Sequence, residues 1–226
     1  MGYEPREYHP AFEEYCEAIF ELAEDERKVI RARIADRLNV SRPAVSEMIR
    51  RMEEEGLVKV NRSSIALTES GVRLAQAVVR RHRLAERFLT DVLELSWTEA
   101  HHEAGKWEHI ISDRVERALI RLLGDPTTCP HGNPIPGSSY AAPSTVALSE
   151  KSVGETFTVS RIPEELEFEP GLLEFLEQAT ILPGQSGLVT AAAPDGTVTI
   201  EIAGIAVGVG RFASERIQVL NVVDHG

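Results

Sequence analysis

A pair of closely spaced helical patterns in the first third of this 226-residue chain constrains its fold most. Ile30, Ile34 and Leu38 recur at helical spacing and predict a short amphipathic helix. Ser41 opens the second pattern as an N-cap residue, and Pro43 falls in its first turn, where a missing N–H does no harm. Two helices separated by so short a turn predict a helix-turn-helix.

A β-hairpin is predicted directly after the second helix, which we expect to end at Gly56. Two short apolar runs, over residues 57–60 and 65–67, flank a polar turn. Helix, turn, helix and hairpin together predict a winged helix-turn-helix. An amphipathic helix over residues 10–23 precedes it.

Downstream of the hairpin, the sequence predicts a helical part and then a strand-rich part. Helical patterns run over residues 72–95 and 99–124. Five prolines and two glycines between Pro126 and Pro143 are typical of a linker. Period-two apolar spacing around an Asp-Gly turn then predicts an SH3-like small β-barrel. The predicted domains are a winged helix-turn-helix (1–75), a helical domain (76–140) with a proline-rich tether (126–150), and an SH3-like domain (151–226).

The net charge of −12 argues against nucleic-acid binding, but the charge is unevenly distributed. Ten basic and five acidic residues lie from Arg27 to Arg62, so the predicted winged helix is locally basic in a chain that is acidic overall. The sequence predicts no membrane helix and no signal peptide. Two distant cysteines fit a reducing compartment, so we expect a cytoplasmic protein without a membrane partner.

The second helix of the motif is the expected DNA-reading element, because the N-terminal residues of such a helix face base edges in the major groove. Nearby arginines are expected on phosphates, which position the protein without specifying sequence. The alternative is a protein-interaction winged helix whose arginines form a solvated face. The candidate DNA contacts are Ser41, Arg42, Pro43, Ala44, Ser46 and Glu47 in the reading segment, and Arg31, Arg33, Arg50, Arg51 and Arg62 around it.

Histidine and glutamate side chains concentrate on the two later helical patterns. At about 100° per residue, His82 and Glu86 project about 40° apart. His101 and Glu108 share an arc of about 60°, with His109 at its edge. Imidazole and carboxylate together suit divalent ions from Mn²⁺ to Zn²⁺, so a metal site is predicted, although such pairs are also common as solvated side chains.

Several segments carry a resemblance to a known family. They are EEYCEAIFEL, RARIADRL before SRPAVSEMIRRMEEEGLV, VVRRHRLAERFLTDVL, EAHHEAGKWEHIISDRVERAL and HGNPIPG. In this order and spacing they resemble the diphtheria toxin repressor family of metal-dependent transcriptional repressors. The resemblance implies a homodimer formed through the helical domain, double-stranded DNA with a palindromic operator as partner, and metal-uptake genes as targets. It implies neither enzymatic activity nor a small organic substrate.

The same resemblance implies two metal sites per subunit. Iron-type members carry a thioether and a thiol at the positions of Glu14 and Gly105, and manganese-type members carry carboxylates. In this chain Glu14 is a carboxylate and Gly105 offers only its backbone carbonyl oxygen, which favours Mn(II) over Fe(II). The ancillary ligands implied are His82, Glu86, His101, Glu164 and Glu167. The main-site ligands implied are Glu14, Gly105, Glu108 and His109, with Glu17 or water completing the shell.

Other interpretations stay open from the sequence. Cys16 lies on the apolar face of the first helix and is interpreted as a structural thiol, and Cys129-Pro130-His131 is interpreted as tether despite its weak zinc-site character. An Fe(II)-dependent repressor is the main alternative. A metallo-hydrolase or a metal carrier is a remote one, because no nucleophile or general-base motif is evident. In the expected mechanism, metal acts as corepressor by pinning the first helix, where carboxylates at Glu14 and Glu108 repel each other without a cation.

Overall fold

The computed structural model describes residues 10–220, which form two compact units. The first unit contains the described residues up to His82 together with Lys106–Ile111, and the second contains Arg83–Gly105 and the residues from Ser112 onward. Positions 1–9 and 221–226 of the predicted outer domains lie outside the described residues. In the part of the chain that is described, no helix is long and apolar enough to cross a membrane.

The first unit is a winged helix-turn-helix, as the sequence predicts. The N-cap is confirmed, because the Ser41 hydroxyl oxygen accepts a hydrogen bond from the Ala44 amide at 3.3 Å. Asn39 ends the preceding helix in the left-handed region at φ 50°. The elements are α1 (Pro10–Glu24), α2 (Arg31–Leu38), α3 (Arg42–Glu54), the antiparallel strands β1 (Val58–Asn61) and β2 (Ser64–Leu67), and the start of α4 (Glu69–Asp91).

Helix α1 belongs to the core of the helix-turn-helix. Its side chains Cys16 and Ile19 are fully buried and lie in one apolar cluster with Ile34 of α2 and with Val45 and Ile49 of α3. Each such side chain contributes about 1.5 to 3 kcal/mol on burial. Any displacement of α1 therefore has to move helices α2 and α3 with it or break this core.

The second helical pattern beyond the wing forms two helices, and the prediction of one continuous helix over residues 99–124 is wrong. Helix α5 (Trp97–Trp107) ends before a turn at Glu108–Ile110. Helix α6 (Asp113–Leu122) then begins after Ser112, whose hydroxyl oxygen accepts from the Val115 amide at 3.4 Å. A serine at this position caps a new helix, because its side chain satisfies an amide that would otherwise lack a partner.

The C-terminal part of the second unit is a six-stranded antiparallel sheet in the order β3-β8-β4-β5-β6-β7, which fits the predicted SH3-like domain. The Asp-Gly turn is confirmed between β5 and β6, where the Asp195 carboxylate accepts from the Thr197 amide at 2.9 Å. The elements are β3 (Thr145–Ala147), a 3-10 turn (Leu148–Glu150), β4 (Thr156–Arg161), α7 (Glu164–Glu167), α8 (Leu172–Gln178), β5 (Ser186–Ala192), β6 (Val198–Ile202), β7 (Ile205–Val209), α9 (Arg211–Ser214) and β8 (Gln218–Leu220).

The proline-rich segment differs from the predicted tether over residues 129–136. Cys129, His131 and Asn133 are fully buried, and the Ile162 amide donates to the His131 carbonyl at 2.8 Å. Prolines exclude regular helix here, as the sequence implies, but the segment packs as ordered irregular structure beside β4. The Asn133 side chain and the His131 carbonyl have hydrogen-bond partners inside the second unit, so the segment is not a solvent-exposed linker.

Gly132 offers a direct test of this packing. Its φ is +87°, and a Cβ at this position would lie 2.4 Å from the Ser160 carbonyl oxygen of β4. We expect Gly132→Ala to lower the free energy of unfolding by about 2 kcal/mol or more, because backbone strain and a backbone clash both oppose it. Thermal unfolding followed by circular dichroism measures the loss. Gly154→Ala is the matched control, since Gly154 has a similar φ of +92° with open space around it. Equal losses in the two variants would contradict the proposed close packing.

Candidate metal centres and DNA-contacting face

The first unit gathers acidic and histidine side chains from three separate segments. His109 Nδ1 lies 2.7 Å from Glu13 Oε2 of α1, and His109 Nε2 lies 3.1 Å from Glu108 Oε1. His82 Nδ1 of α4 lies 2.5 Å from Glu108 Oε2. Glu17 adds a further carboxylate, and ligand atoms of Glu17, His82 and Glu108 all lie within 4.8 Å of one another. We call these five residues the first cluster.

The carboxylates of the first cluster favour a positive charge on His109. The hydrogen bond to Glu13 raises the pKa of His109 above its ordinary value; burial opposes this, and the charges of Glu108, Glu13 and Glu14 add to it. Burial raises the pKa of the Cys16 thiol to about 12, with a further contribution from the charge of Glu13. Cys16 is therefore a neutral thiol, which agrees with its interpretation as a structural residue.

A second cluster lies in the second unit. His101 Nδ1 of α5 lies 3.0 Å from Glu86 Oε1 of α4 and 3.1 Å from Glu167 Oε2 of α7. His131 Nδ1, from the proline-rich segment, lies 3.0 Å from the same Glu167 oxygen. The His131 ring also packs edge-on against Trp97 at a centroid distance of 4.5 Å. We call Glu86, His101, Cys129, His131, Glu164 and Glu167 the second cluster.

Glu164 has a different environment from Glu167 although both lie on α7. Arg83 is fully buried and donates to Glu164 Oε1 through Nη2 at 3.0 Å and through Nε at 3.2 Å. The same guanidinium donates to the Pro134 carbonyl oxygen at 2.5 Å. Glu164 is thus one half of a buried ion pair, whereas Glu167 faces the two imidazoles.

Protons balance the carboxylates of the second cluster. Burial by itself lowers the pKa of His101, but hydrogen bonds and charges from Glu167 and Glu86 outweigh it and raise that pKa to about 10. Burial also opposes the charged form of His131, yet the charges of Glu167 and Glu86 raise its pKa. For Glu167, burial raises the pKa, but the charge of His131 leads a set of contributions that lower it to about 2.

These residues fit a divalent cation. His131 Nε2 is buried and has no hydrogen-bond partner among the described residues, which leaves a nitrogen available to a ligand. Ligand atoms of Glu86, Cys129 and His131 lie within 4.8 Å of one another, as do those of His101, Glu164 and Glu167. A cation could replace the protons that balance these carboxylates. The first cluster offers only oxygen and nitrogen ligands, which suit Mn²⁺ and Fe²⁺.

The structure assigns the sequence-predicted metal residues to different surroundings. Glu14 lies on the exposed face of α1, while Glu13, which the sequence pattern does not single out, contacts His109. His82 contacts Glu108 in the first unit. Gly105 is exposed in α5, and a Cβ at this position would meet open space within 4 Å.

His131 and Cys129 were not predicted as site residues. The only local signal was the Cys-Pro-His tripeptide, in which two ligand types lie within three residues. Its proline-rich context pointed to a linker instead. Only the packing of the segment inside the second unit brings these side chains next to Glu86.

The predicted DNA contacts are mostly exposed side chains of the first unit. The side chains at the start of α3 are exposed, and Arg62 lies at the hairpin turn with φ 55°. Arg50 is paired on α3 itself, with Glu47 Oε1 at 2.6 Å and Glu54 Oε1 at 2.5 Å. Because these pairs are exposed, they are weak and can be exchanged for phosphate contacts. Among the predicted contacts, Ser41, Arg42, Pro43, Ala44, Ser46, Glu47, Arg33, Arg50, Arg51 and Arg62 are exposed, and Arg31 is half-buried.

Comparison with known proteins decides the family. Residues 8–65 match the family model of the iron-dependent repressor N-terminal DNA-binding domain, and residues 68–137 match its metal-binding and dimerisation domain. The chain is 40% identical over 204 residues to the iron-dependent repressor IdeR of Mycobacterium tuberculosis, covering 85% of this chain and 88% of that protein. The chain belongs to the iron-dependent repressor family. Members of this family are metal-dependent transcriptional repressors and not enzymes.

Further relatives include the diphtheria toxin repressor and a manganese-dependent repressor. The diphtheria toxin repressor of Corynebacterium diphtheriae is 50% identical over 126 residues, covering 55% of this chain and 56% of that protein. A structure described as a manganese-dependent transcriptional repressor complex with manganese matches with a TM-score of 0.83 and 34% identity, covering 93% of this chain and 100% of that chain. The repressor therefore has a DNA-binding domain and a dimerisation domain, and its relatives include both iron- and manganese-dependent proteins.

Proposed function

We propose that this repressor responds to Mn(II), which acts as corepressor for binding to a palindromic operator near metal-uptake genes. The observation that carries the proposal is the first cluster, whose side chains are carboxylates and imidazoles with no sulfur ligand. Oxygen-rich sites of this kind favour manganese over softer ions. The manganese-bound relative with a TM-score of 0.83 supports the same choice.

The first cluster is placed to control the DNA-reading helices. Glu13 and Glu17 lie on α1, one helical turn apart, and the opposite side of α1 is in the core with Ile34 and Val45. A cation held by Glu13, Glu17 and Glu108 would supply positive charge between these carboxylates. It would offset the repulsion among them and so strengthen the contact between α1 and the His82 segment.

The second cluster is proposed as a second metal site in each subunit. It contains three carboxylates and two imidazoles, with Cys129 as a soft candidate ligand. That thiol is fully buried, and burial together with the charges of Glu86 and Glu167 raises its pKa well above the ordinary value. A cation at this site would have to offset that cost before a thiolate formed, so we propose ligation first by the carboxylates and imidazoles.

A homodimer is proposed to form through the helical domain. Val115 and Leu122 on α6, and Val92 and Leu93 after α4, are large apolar side chains that are well exposed in the single chain. Burying such a surface between two copies would form a dimer. Each subunit would then bring one recognition helix to one half of a palindromic site.

The metal response of DNA binding tests the proposal. Labelled duplexes from upstream of the gene are titrated with protein in chelator, in Mn²⁺, and in Fe²⁺ without oxygen, and fluorescence anisotropy reports binding. We expect tight binding in Mn²⁺ and a loss of at least about 100-fold in chelator, a coupling of the size seen in allosteric proteins. Activation by Fe²⁺ alone would support the iron-dependent alternative, which the 40% identity to an iron-dependent repressor also favours. Binding that is indifferent to metal would contradict both.

A further inference from the structure

We propose that Asn133 is a positioning residue that orients Glu167 for metal binding at the second cluster. The inference rests on the proposed function of that cluster. Asn133 belongs to the HGNPIPG segment, which the sequence pattern predicts as tether, and its side chain is fully buried. A buried amide is costly unless its hydrogen-bonding groups are satisfied, so its partners indicate what holds it there.

The partners of Asn133 fix the orientation of its amide. Its Nδ2 donates to Glu167 Oε1 at 2.8 Å and to the Ile162 carbonyl oxygen at 3.0 Å, which uses both N–H groups. Its Oδ1 accepts from Arg161 Nε at 2.5 Å. A guanidinium donates only, so the carbonyl side of the amide has to face Arg161 and the amino side has to face Glu167.

This arrangement selects which oxygen of Glu167 faces the imidazoles. With Oε1 held by Asn133, Oε2 lies 3.1 Å from His101 Nδ1 and 3.0 Å from His131 Nδ1. Glu167 otherwise has several rotatable bonds and lies on α7, a helix of only four residues. Ordering such a side chain costs conformational entropy, and a preformed hydrogen bond removes that cost from metal binding.

The contrast with Glu164 supports a division of roles on α7. Arg83 holds Glu164 by charge, whereas a neutral amide holds Glu167. The amide adds no fixed positive charge beside Glu167, whereas the guanidinium adds one beside Glu164. Arg161 acts on the other side of the amide, where it polarises the Asn133 carbonyl group.

Asn133→Asp tests the proposal because it keeps the shape and removes the donating amino group. The 226-residue chain carries Glu108→Gln to disable the first cluster. Co²⁺ alone is the probe, and visible absorption reports its affinity and coordination. We expect Asn133→Asp to weaken Co²⁺ binding by about 10- to 100-fold and to change the absorption spectrum, as loss of an orienting partner does in metal sites. Arg161→Ala is the second variant, with a smaller loss in the same direction.

A double-mutant cycle separates positioning from a merely structural role. In a Glu167→Ala background, Asn133→Asp should cause no further loss of Co²⁺ affinity, because its partner is already gone. Ser214→Ala is the matched control, since Ser214 is a fully buried polar residue that donates to the Gly196 carbonyl oxygen instead. It should leave affinity and spectrum unchanged.

Three different results overturn the proposal. If Asn133→Asp and Arg161→Ala both bind Co²⁺ with the parent affinity and spectrum, or if Asn133→Asp weakens binding equally without Glu167, Asn133 does not act through Glu167. The second site itself would then stand. If the parent chain with Glu108→Gln binds no Co²⁺, the proposed second site fails, and the positioning role fails with it.

Discussion

His109→Ala is expected to abolish metal-dependent DNA binding, with a loss of at least about 100-fold in the affinity that metal induces. His109 contacts Glu13 of α1 at 2.7 Å and Glu108 at 3.1 Å, so its ring joins the two sides of the first cluster. The side chain is partly exposed, and its removal should cost less than about 1.5 kcal/mol of fold stability. Anisotropy with and without Mn²⁺ measures the first effect, and thermal unfolding measures the second.

Three substitutions on α1 show which carboxylates serve the first cluster. Glu13→Gln and Glu17→Gln remove charges that face His109, His82 and Glu108, and each should weaken the metal response about 10-fold or more. Glu14→Gln is the matched control on the same helix, because Glu14 is exposed and acts on His109 only through its charge. We expect it to change the response by about 2-fold or less, as for an exposed charge. A complete loss with Glu14→Gln, with normal behaviour of the other two, would restore Glu14 as the ligand that the family resemblance implies.

Glu164→Ala and Glu167→Ala should differ sharply although both remove a buried carboxylate from α7. Arg83 cannot lose its proton, so removing Glu164 leaves a buried guanidinium without the carboxylate that two of its nitrogens contact. We expect the metal-free protein to lose about 3 to 5 kcal/mol of stability, or about 6 to 20 °C in Tm. His101 and His131 can become neutral when Glu167 is removed, so that variant should lose about 1 kcal/mol.

For metal binding the order should reverse, and Glu167→Ala should have the larger effect. Glu167→Ala removes the carboxylate that faces both imidazoles and should weaken Co²⁺ binding at the second cluster by about 100-fold. Glu164→Ala, measured below its lowered Tm, should retain more of that affinity. Calorimetric unfolding and Co²⁺ titration of both variants give the four values needed. Equal losses of stability in the two variants would show that the Arg83–Glu164 ion pair contributes no more to the fold than the contacts of Glu167 do.

Local features were predictable from the sequence because their causes are local. The apolar spacing of Ile30, Ile34 and Leu38, and the Ser41 cap, depend on neighbouring residues, and the winged helix-turn-helix follows from them. The prediction of one helix over residues 99–124 was wrong because the helical spacing continues across Ser112, where a serine cap starts a new helix. A periodic pattern alone does not distinguish one helix from two with a short turn between them.

The amino-acid sequence alone determines most element types, the local excess of basic residues in the winged helix and the presence of histidine and carboxylate side chains on the later helices. These features depend on residue type and short-range spacing. Which side chains meet was settled by the tertiary fold. Glu13 and not Glu14 contacts His109, and His131 and Asn133 join Glu167, because each contact joins segments far apart in the chain. Side-chain direction and the path of an irregular proline-rich segment are set by packing, and packing has no signature in local spacing.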